Sequence, residues 1–204
     1  QVHDFPSGVI GAEGSGVVSR CLIRAIWKKH MTNDQHYTTT FDSRVGELTL
    51  VATDQGLRAV KWPVEKVGRL PLPEEMISNP DHPVLKAARI QLEEYFAEER
   101  KEFNLPLDLR GTDFQKSAWL ALASIPFGET ASYGEQAARI GRPRAVRAIG
   151  AANGRNPISI ILPCHRVVGA NGDLTGFAGG IETKRDLLAF ERNEDSVQGV
   201  LELG

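Results

Sequence analysis

The chain has 204 residues, a net charge of −2 and ordinary shares of apolar and charged residues, which fits one sizeable globular domain or two small ones. No apolar run approaches the ~20 residues needed to span a bilayer, so we expect no membrane contact. There are only two cysteines, Cys21 and Cys164. Two cysteines exclude a disulfide framework and predict a cytoplasmic protein.

Residues 1–30 show neither a clean hydrophobic period nor clear capping residues. Because Met31 has the features of a natural start, we expect residues 1–30 to be a non-native or disordered extension. The predicted organisation is then an N-terminal sheet domain over residues 31–110, a second domain over residues 111–192 and a tail over residues 193–204.

The first half has the pattern of a small sheet. Threonine and aromatic residues predict a strand at residues 36–42, and alternating apolar and polar residues predict two more at residues 45–53 and 57–62, in an antiparallel meander. Five prolines in residues 63–83 predict a linker or covering loop. Apolar residues at helical spacing predict a helix over residues 84–103, and residues 104–109 have the pattern of one more strand.

The second half is mostly helical. Two capping boxes, at residues 112–115 and 132–135, predict the starts of two helices. A turn containing glycine joins the second of these to a helix over residues 145–152, with Gly154 placed to form a left-handed cap. Two short helices joined in this way form a helix-turn-helix. A last helix is expected over residues 183–191.

The second helix of this helix-turn-helix carries small residues and one long side chain, Arg147. A helix that reads the major groove normally carries several long polar side chains. Small residues such as Ala148 and Ala151 permit close approach to a narrow groove, so we infer docking in the minor groove of double-stranded DNA. A tightly packed internal helix pair is the alternative, because it also favours small residues.

Positive charge is concentrated in one window. Residues 139–166 contain six arginines and no acidic residue, a charge of +6 that leaves −8 on the rest of the chain. A basic face on an acidic protein fits a polyanionic partner. The alternative is an ordinary solvated surface rich in arginine.

A thiol, an imidazole and a guanidinium follow one another at Cys164, His165 and Arg166. The apolar residues 158–162 predict a short buried strand that ends at Pro163. Reacting groups are often held where a rigid element gives way to a loop, and positive neighbours lower the pKa of a cysteine. A lone cysteine or histidine is more often structural, but this combination fits a nucleophile as well as it fits a structural role.

Residues 174–180 form a glycine-rich loop without the spacing of a phosphate-binding loop. We therefore expect the loop to line a pocket beside the thiol rather than to bind a nucleotide. Glu191, at the end of the last predicted helix, is the best-placed nearby acid.

Together these features resemble the O6-alkylguanine-DNA alkyltransferases, also called methylated-DNA–protein-cysteine methyltransferases. The resemblance rests on the Leu-Pro-Cys-His-Arg motif at residues 162–166, Asn156, the helix-turn-helix, the Gly-Gly loop and the late glutamate. It is close over residues 113–191 and looser over residues 36–62 and 84–110.

The resemblance implies an α/β fold: a small N-terminal antiparallel β-sheet domain with a helix, then a mostly α-helical C-terminal domain with the helix-turn-helix. It implies direct-reversal DNA repair by a monomer. An alkyl group would pass from a flipped O6-alkylguanine or O4-alkylthymine in duplex DNA to the protein's own cysteine, irreversibly and once per molecule. No cofactor and no metal are expected, although Cys21, His30 and His82 are residue types that can ligate a metal.

The resemblance also implies roles by position. Cys164 would accept the alkyl group, and His165, oriented by Glu191, would deprotonate it through a water. Asn156 would position the active-site loop, and Tyr133 would assist base extrusion or protonate the base. The implied DNA contacts are Arg147, Arg166, Tyr133, Ala148 and Ala151. The implied pocket residues are Val167, Phe177, Ala178 and Gly179, with Ala178 standing where some relatives carry a serine.

Two other functions fit the same residues. A cysteine hydrolase could use Cys164 and His165 for acyl transfer, but it would need an oxyanion hole and would leave the helix-turn-helix without a role. A non-catalytic lesion-binding protein could use the same scaffold, but such relatives replace the acceptor cysteine, which this chain keeps.

Overall fold

A computed structural model describes residues 34–65 and 68–193. The predicted extension at residues 1–30, with Cys21, lies outside the described residues, as does most of the predicted tail. Over the described residues the chain has the expected α/β fold, with a sheet and a helix first and a mostly helical part after it. None of the helices described is both long and apolar enough to cross a membrane.

The sheet is a meander with one added strand. β1 (Tyr37–Ser43), β2 (Gly46–Thr53) and β3 (Gly56–Lys61) pair antiparallel, as predicted from the sequence. β4 (Ile77–Ser78) pairs parallel with β1, which gives the order β3-β2-β1-β4. The strand predicted at residues 104–109 is absent, because within this segment only Leu107 makes a bridge, to Leu57.

α1 (Pro83–Phe96) covers one face of this sheet. Its buried residues, Leu85, Ala88, Leu92 and Tyr95, join the main hydrophobic core. A buried leucine contributes roughly 1.5–3 kcal/mol, so the helix is held by its apolar face. It is shorter than predicted, because the chain leaves the helix at Ala97 and Glu98 takes a left-handed φ of 62°.

Up to residue 193, where the description ends, the second half contains four helices, one turn of 3₁₀ helix and a two-stranded parallel pair. These elements are α2 (Asp113–Leu122), β5 (Ala131–Ser132), α3 (Tyr133–Arg139), α4 (Val146–Asn153), the 3₁₀ turn (Cys164–Arg166), β6 (Val167–Val168) and α5 (Ile181–Glu191). Both predicted capping boxes are present: the Thr112 hydroxyl accepts from the N–H of Gln115, and the Ser132 hydroxyl accepts from that of Glu135. β5 pairs with β6.

The helix-turn-helix is formed by α3 and α4 and is fixed by buried polar contacts. The side chains of Gln136 and Asn153 exchange hydrogen bonds of 3.0 and 2.7 Å. Trp119 Nε1 donates to the carbonyl of Ala152 at 2.7 Å. Fully paired buried amides fix one geometry, so α4 has a defined outer face. Gly154 does not form the predicted left-handed cap, since its φ is −62°.

Residues 158–162 do not form the predicted strand. Ile158 makes one bridge to Val60, and the chain then turns so that the N–H of Leu162 donates to the carbonyl of Ile158 at 2.9 Å. Ile160 has a φ of 73°, which is strained for a β-branched residue and costs on the order of 1–3 kcal/mol. The segment is buried as expected, but an apolar run does not distinguish a buried strand from a buried turn.

Candidate active site

Cys164 opens the 3₁₀ turn that follows this strained segment, and its side chain is buried. The backbone N–H of Cys164 donates to the carbonyl of Leu162 at 2.8 Å. Asn156 holds the same segment, because its Nδ2 donates to the carbonyl of Leu162 at 2.7 Å and its Oδ1 accepts from the N–H of Ile158 at 3.1 Å. The hydrogen bonds of Asn156 therefore fix the turn that carries the thiol.

The Cys164 thiol is protonated at neutral pH. Burial raises its pKa. The polar side chains of Asn156 and Ser159 and the positive charges of Lys184 and Arg69 act in the opposite direction but do not cancel the effect of burial. Since the thiolate is the nucleophile, a reaction at Cys164 needs a base.

His165 has the properties of that base. Its Nε2 lies 2.8 Å from Oε1 of Glu191. Because an ionised carboxylate only accepts, Nε2 carries the proton and Nδ1 keeps its lone pair. Nδ1 is buried and has no hydrogen-bond partner among the described residues. Burial lowers the pKa of His165 and outweighs the opposing effect of Glu191, so the ring is neutral and ready to accept a proton.

Glu191 stays ionised although its side chain is fully buried. Burial alone would raise its pKa, but the hydrogen bonds from His165 and Arg166 and the positive charge of Arg166 outweigh burial and lower the pKa to about 2. Arg166 donates to both carboxylate oxygens, with Nε 2.8 Å from Oε2 and Nη2 2.9 Å from Oε1. The hydroxyl of Tyr95 and the backbone N–H of Gly128 also donate to it, at 2.7 and 3.1 Å.

The outer face of α4 carries the residues expected to meet DNA. Arg147, Ala148 and Ala151 are all exposed, whereas Ile149 and Ala152 point into a small core. Arg144 and Arg155 are exposed as well. The face therefore combines low bulk with positive charge, as the sequence indicates.

A cavity of about 500 Å³ lies between α4 and the glycine-rich loop. Three predicted residues, Tyr133, Phe177 and Ala178, line it, together with Val146 and Gly150 of α4. The Tyr133 oxygen accepts from the Thr175 hydroxyl at 3.0 Å. Cys164 is not a lining residue, but the ring centroid of Phe177 lies 6.3 Å from that of His165. About one side chain therefore separates the cavity from the Cys164–His165 pair.

Two further predicted pocket residues lie behind the cavity instead of lining it. Val167 is fully buried, and its carbonyl accepts from Lys184 Nζ at 2.6 Å. Gly179 packs on Trp62 so closely that a Cβ there would lie 2.8 Å from the indole ring. These residues do not line this cavity, and their place in the substrate pocket stays a prediction.

Family models match both halves of the chain. The model described as "6-O-methylguanine DNA methyltransferase, ribonuclease-like domain" matches residues 36–109, and the model described as "6-O-methylguanine DNA methyltransferase, DNA binding domain" matches residues 113–193. The chain belongs to the 6-O-methylguanine DNA methyltransferase family.

Individual members of this methyltransferase family are similar over most of their length. The methylated-DNA–protein-cysteine methyltransferase of Methanosarcina acetivorans is 47% identical over 155 residues, 76% of this chain and 97% of the relative. That of Mycobacterium tuberculosis is 50% identical over 158 residues, 78% of this chain and 93% of the relative. A crystal structure of the M. tuberculosis protein in complex with DNA superposes with a TM-score of 0.69 at 47% identity, covering 78% and 93% of the two chains.

The methyltransferase structure corrects one predicted DNA contact, Arg166. Its guanidinium is buried, donates to Glu191 and to the carbonyl of Ile125 at 2.6 Å, and lies 5.7 Å from the ring centroid of Phe127. A buried carboxylate needs a cationic partner, and Arg166 supplies that charge. It is therefore not available to a phosphate, and the basic face consists of the exposed arginines.

Sequence reasoning missed three residues that support the site. Lys184 is fully buried and donates to the carbonyls of Val167 and Thr175 at 2.6 and 2.9 Å. Arg69, in the proline-rich segment, donates to the carbonyl of Asn156 at 2.6 Å. Tyr95, whose position on the apolar face of α1 indicates only a core residue, donates to Glu191. A signal existed for Lys184, because it lies seven residues before Glu191 and so shares its helix face.

No metal site is found in the described ranges: no group of three or more His, Cys, Asp or Glu side chains there is placed to hold an ion. His82, a residue of a type that can ligate a metal, stacks on Tyr37 with ring centroids 4.4 Å apart.

Proposed function

We propose that this chain repairs DNA by transferring the alkyl group of O6-alkylguanine, in duplex DNA, to the sulfur of Cys164. The observation that carries the proposal is the buried thiol beside a neutral histidine whose other nitrogen is held by an ionised glutamate, next to a cavity at the DNA-facing helix. Residues 31–110 would form a supporting sheet domain, and residues 111–192 would bind DNA and accept the alkyl group.

The chemistry follows from these groups. His165 Nδ1 takes the thiol proton through a bridging water, and Glu191 stabilises the imidazolium that forms. The thiolate attacks the alkyl carbon, an S–C bond forms, the C–O bond breaks and its electron pair goes to guanine O6. A proton donated by the Tyr133 hydroxyl lets guanine leave as a neutral base. The thioether has no good leaving group, so each molecule acts once.

Docking would use the outer face of α4 in the minor groove. Ala148 and Ala151 have too little bulk to prevent close approach of the helix, and Arg147 extends from the same exposed face. Flipping the damaged base costs a few kcal/mol, and Arg147 would fill the space that the base leaves. The catalytic groups, from Tyr133 to Glu191, all come from one chain, so we propose a monomer, acting in the cytoplasm.

The test is the intact mass of the protein after mixing with a duplex that contains one O6-methylguanine. We expect the addition of one methyl group per chain in the native protein and none in Cys164→Ser. Tight binding without a mass change would contradict transfer and indicate a damage sensor. Loss of methyl from the DNA without an adduct, over many turnovers, would indicate a hydrolase.

A further inference from the structure

Tyr95 belongs to α1 in the first half of the chain, yet its hydroxyl lies in the active-site network. The hydroxyl donates to Oε1 of Glu191 at 2.7 Å, across 96 positions of sequence. The same oxygen accepts from Nε2 of His165 at 2.8 Å and from Nη2 of Arg166 at 2.9 Å. Three donors of different chemistry thus share one carboxylate oxygen.

Packing accounts for the ring of Tyr95 but not for its hydroxyl. The ring is fully buried among four phenylalanines, with centroid distances of 5.0 to 5.9 Å, namely Phe96, Phe103, Phe127 and Phe190. A phenylalanine would fill this space equally well and would leave no polar atom to satisfy. The hydroxyl is instead directed at the carboxylate that holds the histidine.

We propose that Tyr95 is a positioning residue for alkyl transfer: its hydroxyl holds Oε1 of Glu191 where it accepts the Nε2–H of His165, which leaves Nδ1 as the base. The proposal rests on the proposed transfer to Cys164 and assigns part of the active site to α1. In this role the residue acts through the carboxylate of Glu191 and not on the alkyl group itself.

A neutral donor suits this position. Burial and the charge of Glu191 raise the pKa of Tyr95 far above its usual value, so the phenol stays protonated and donates at every physiological pH. It orients the carboxylate and takes up part of its accepting capacity without neutralising the charge. The other charged groups that act on His165 are Arg166 and Lys184, and both remain when the hydroxyl is removed.

The Tyr95→Phe substitution removes only the hydroxyl. Without that donor, Glu191 becomes more basic and binds an imidazolium at His165 more strongly, so the pKa of His165 rises. We expect a fold like that of the native protein, a transfer rate roughly tenfold lower at neutral pH, and an acid limb of the rate–pH profile displaced to higher pH. Tyr37→Phe, which removes the hydroxyl of a partly exposed tyrosine on β1, is the matched control. It should change neither the transfer rate nor the rate–pH profile.

Two measurements on each variant give these results. Intact mass of quenched samples, between about pH 5 and pH 9, gives the transfer rate. Nitrogen NMR of the histidine rings gives the tautomer and the titration of His165 in the absence of DNA. In a Glu191→Gln background, Tyr95→Phe should add little, because the two residues act as a unit.

Several outcomes would overturn the proposal. A rate that falls equally at every pH, with an unchanged His165 signal, would leave Tyr95 a packing residue, and so would full additivity with Glu191→Gln. If the native protein accepts no methyl group, the proposed function fails while the NMR titration still decides the positioning role. If Tyr95→Phe does not fold, the native Tyr95 hydroxyl proton decides: a slowly exchanging, far-downfield signal supports the contact, and its absence refutes it.

Discussion

Replacing Glu191 by glutamine removes the negative charge from a carboxylate that is fully buried between His165 and Arg166. The pKa of Glu191 falls from an ordinary value of 4.5 to about 2. At about 1.4 kcal/mol per pKa unit, this difference corresponds to about 3 kcal/mol of folding free energy at neutral pH. A similar loss, about 3–5 kcal/mol, is expected when one partner of a buried ion pair is removed.

The sign of the pH dependence follows from the depressed pKa of Glu191. Its contribution is fully present above the pKa of the unfolded chain and is lost as pH falls from there towards the folded pKa of about 2. By about pH 3, roughly 2 of the 3 kcal/mol are gone. The free energy of unfolding of the native protein should therefore approach that of Glu191→Gln in acid.

Urea unfolding at neutral pH and at about pH 3 measures this difference. Glu182→Gln is the matched control, because Glu182 lies on the same helix with its side chain 80% exposed. We expect Glu191→Gln to be less stable than the native protein by about 3 kcal/mol at neutral pH and by about 1 kcal/mol at about pH 3. Glu182→Gln should have the stability of the native protein at both pH values. If the free energies of unfolding of the native protein and of Glu191→Gln differ by the same amount at both pH values, the assignment of Glu191 as the buried, ionised partner of His165 and Arg166 is refuted.

Three further substitutions test other parts of the site. Arg147→Ala should slow transfer from duplex DNA at least tenfold but leave transfer from the free base O6-methylguanine unchanged, as measured by intact mass; equal loss with both substrates would contradict its role at DNA. Lys184→Met should raise the pKa of the Cys164 thiol, because it removes a nearby positive charge, and alkylation by iodoacetamide as a function of pH measures this. Gly179→Ala should displace the glycine-rich loop, since the new Cβ would lie 2.8 Å from Trp62; unchanged tryptophan fluorescence and transfer rate would contradict the close packing.

Local signals in the sequence predicted much of this fold. Both capping boxes formed, because the two hydrogen bonds of each lie within four consecutive residues. Threonine and aromatic content located the first strand of the meander, the period of two located the other two, and the last predicted helix located Glu191. The chain segments that carry the site were therefore predictable, whereas the pairing of His165 with Glu191 was implied only by the resemblance to the family.

Long-range contacts decide what remained unpredicted. The buried role of Arg166 depends on a carboxylate 25 residues away, and a motif that places arginine beside cysteine gives no sign of it. The path of residues 158–162 depends on Asn156, whose side chain closes a turn that the apolar pattern cannot distinguish from a strand. Tyr95 reaches Glu191 only because α1 packs against the second half of the chain.

The electrostatics of the site suit a nucleophile that can be used only once. A thiol held permanently as thiolate would react with any electrophile that reached it, and each such reaction would destroy one molecule. Here burial keeps Cys164 protonated, while His165 is neutral and its Nδ1 is free of protein partners in the described chain. Cys164 therefore becomes reactive only when its proton is transferred to His165. Glu191 is held by groups from both halves of the chain, namely Tyr95 of α1, Arg166 and Gly128. The proton transfer therefore depends on both halves, and we expect the site to lose function when either half is disturbed.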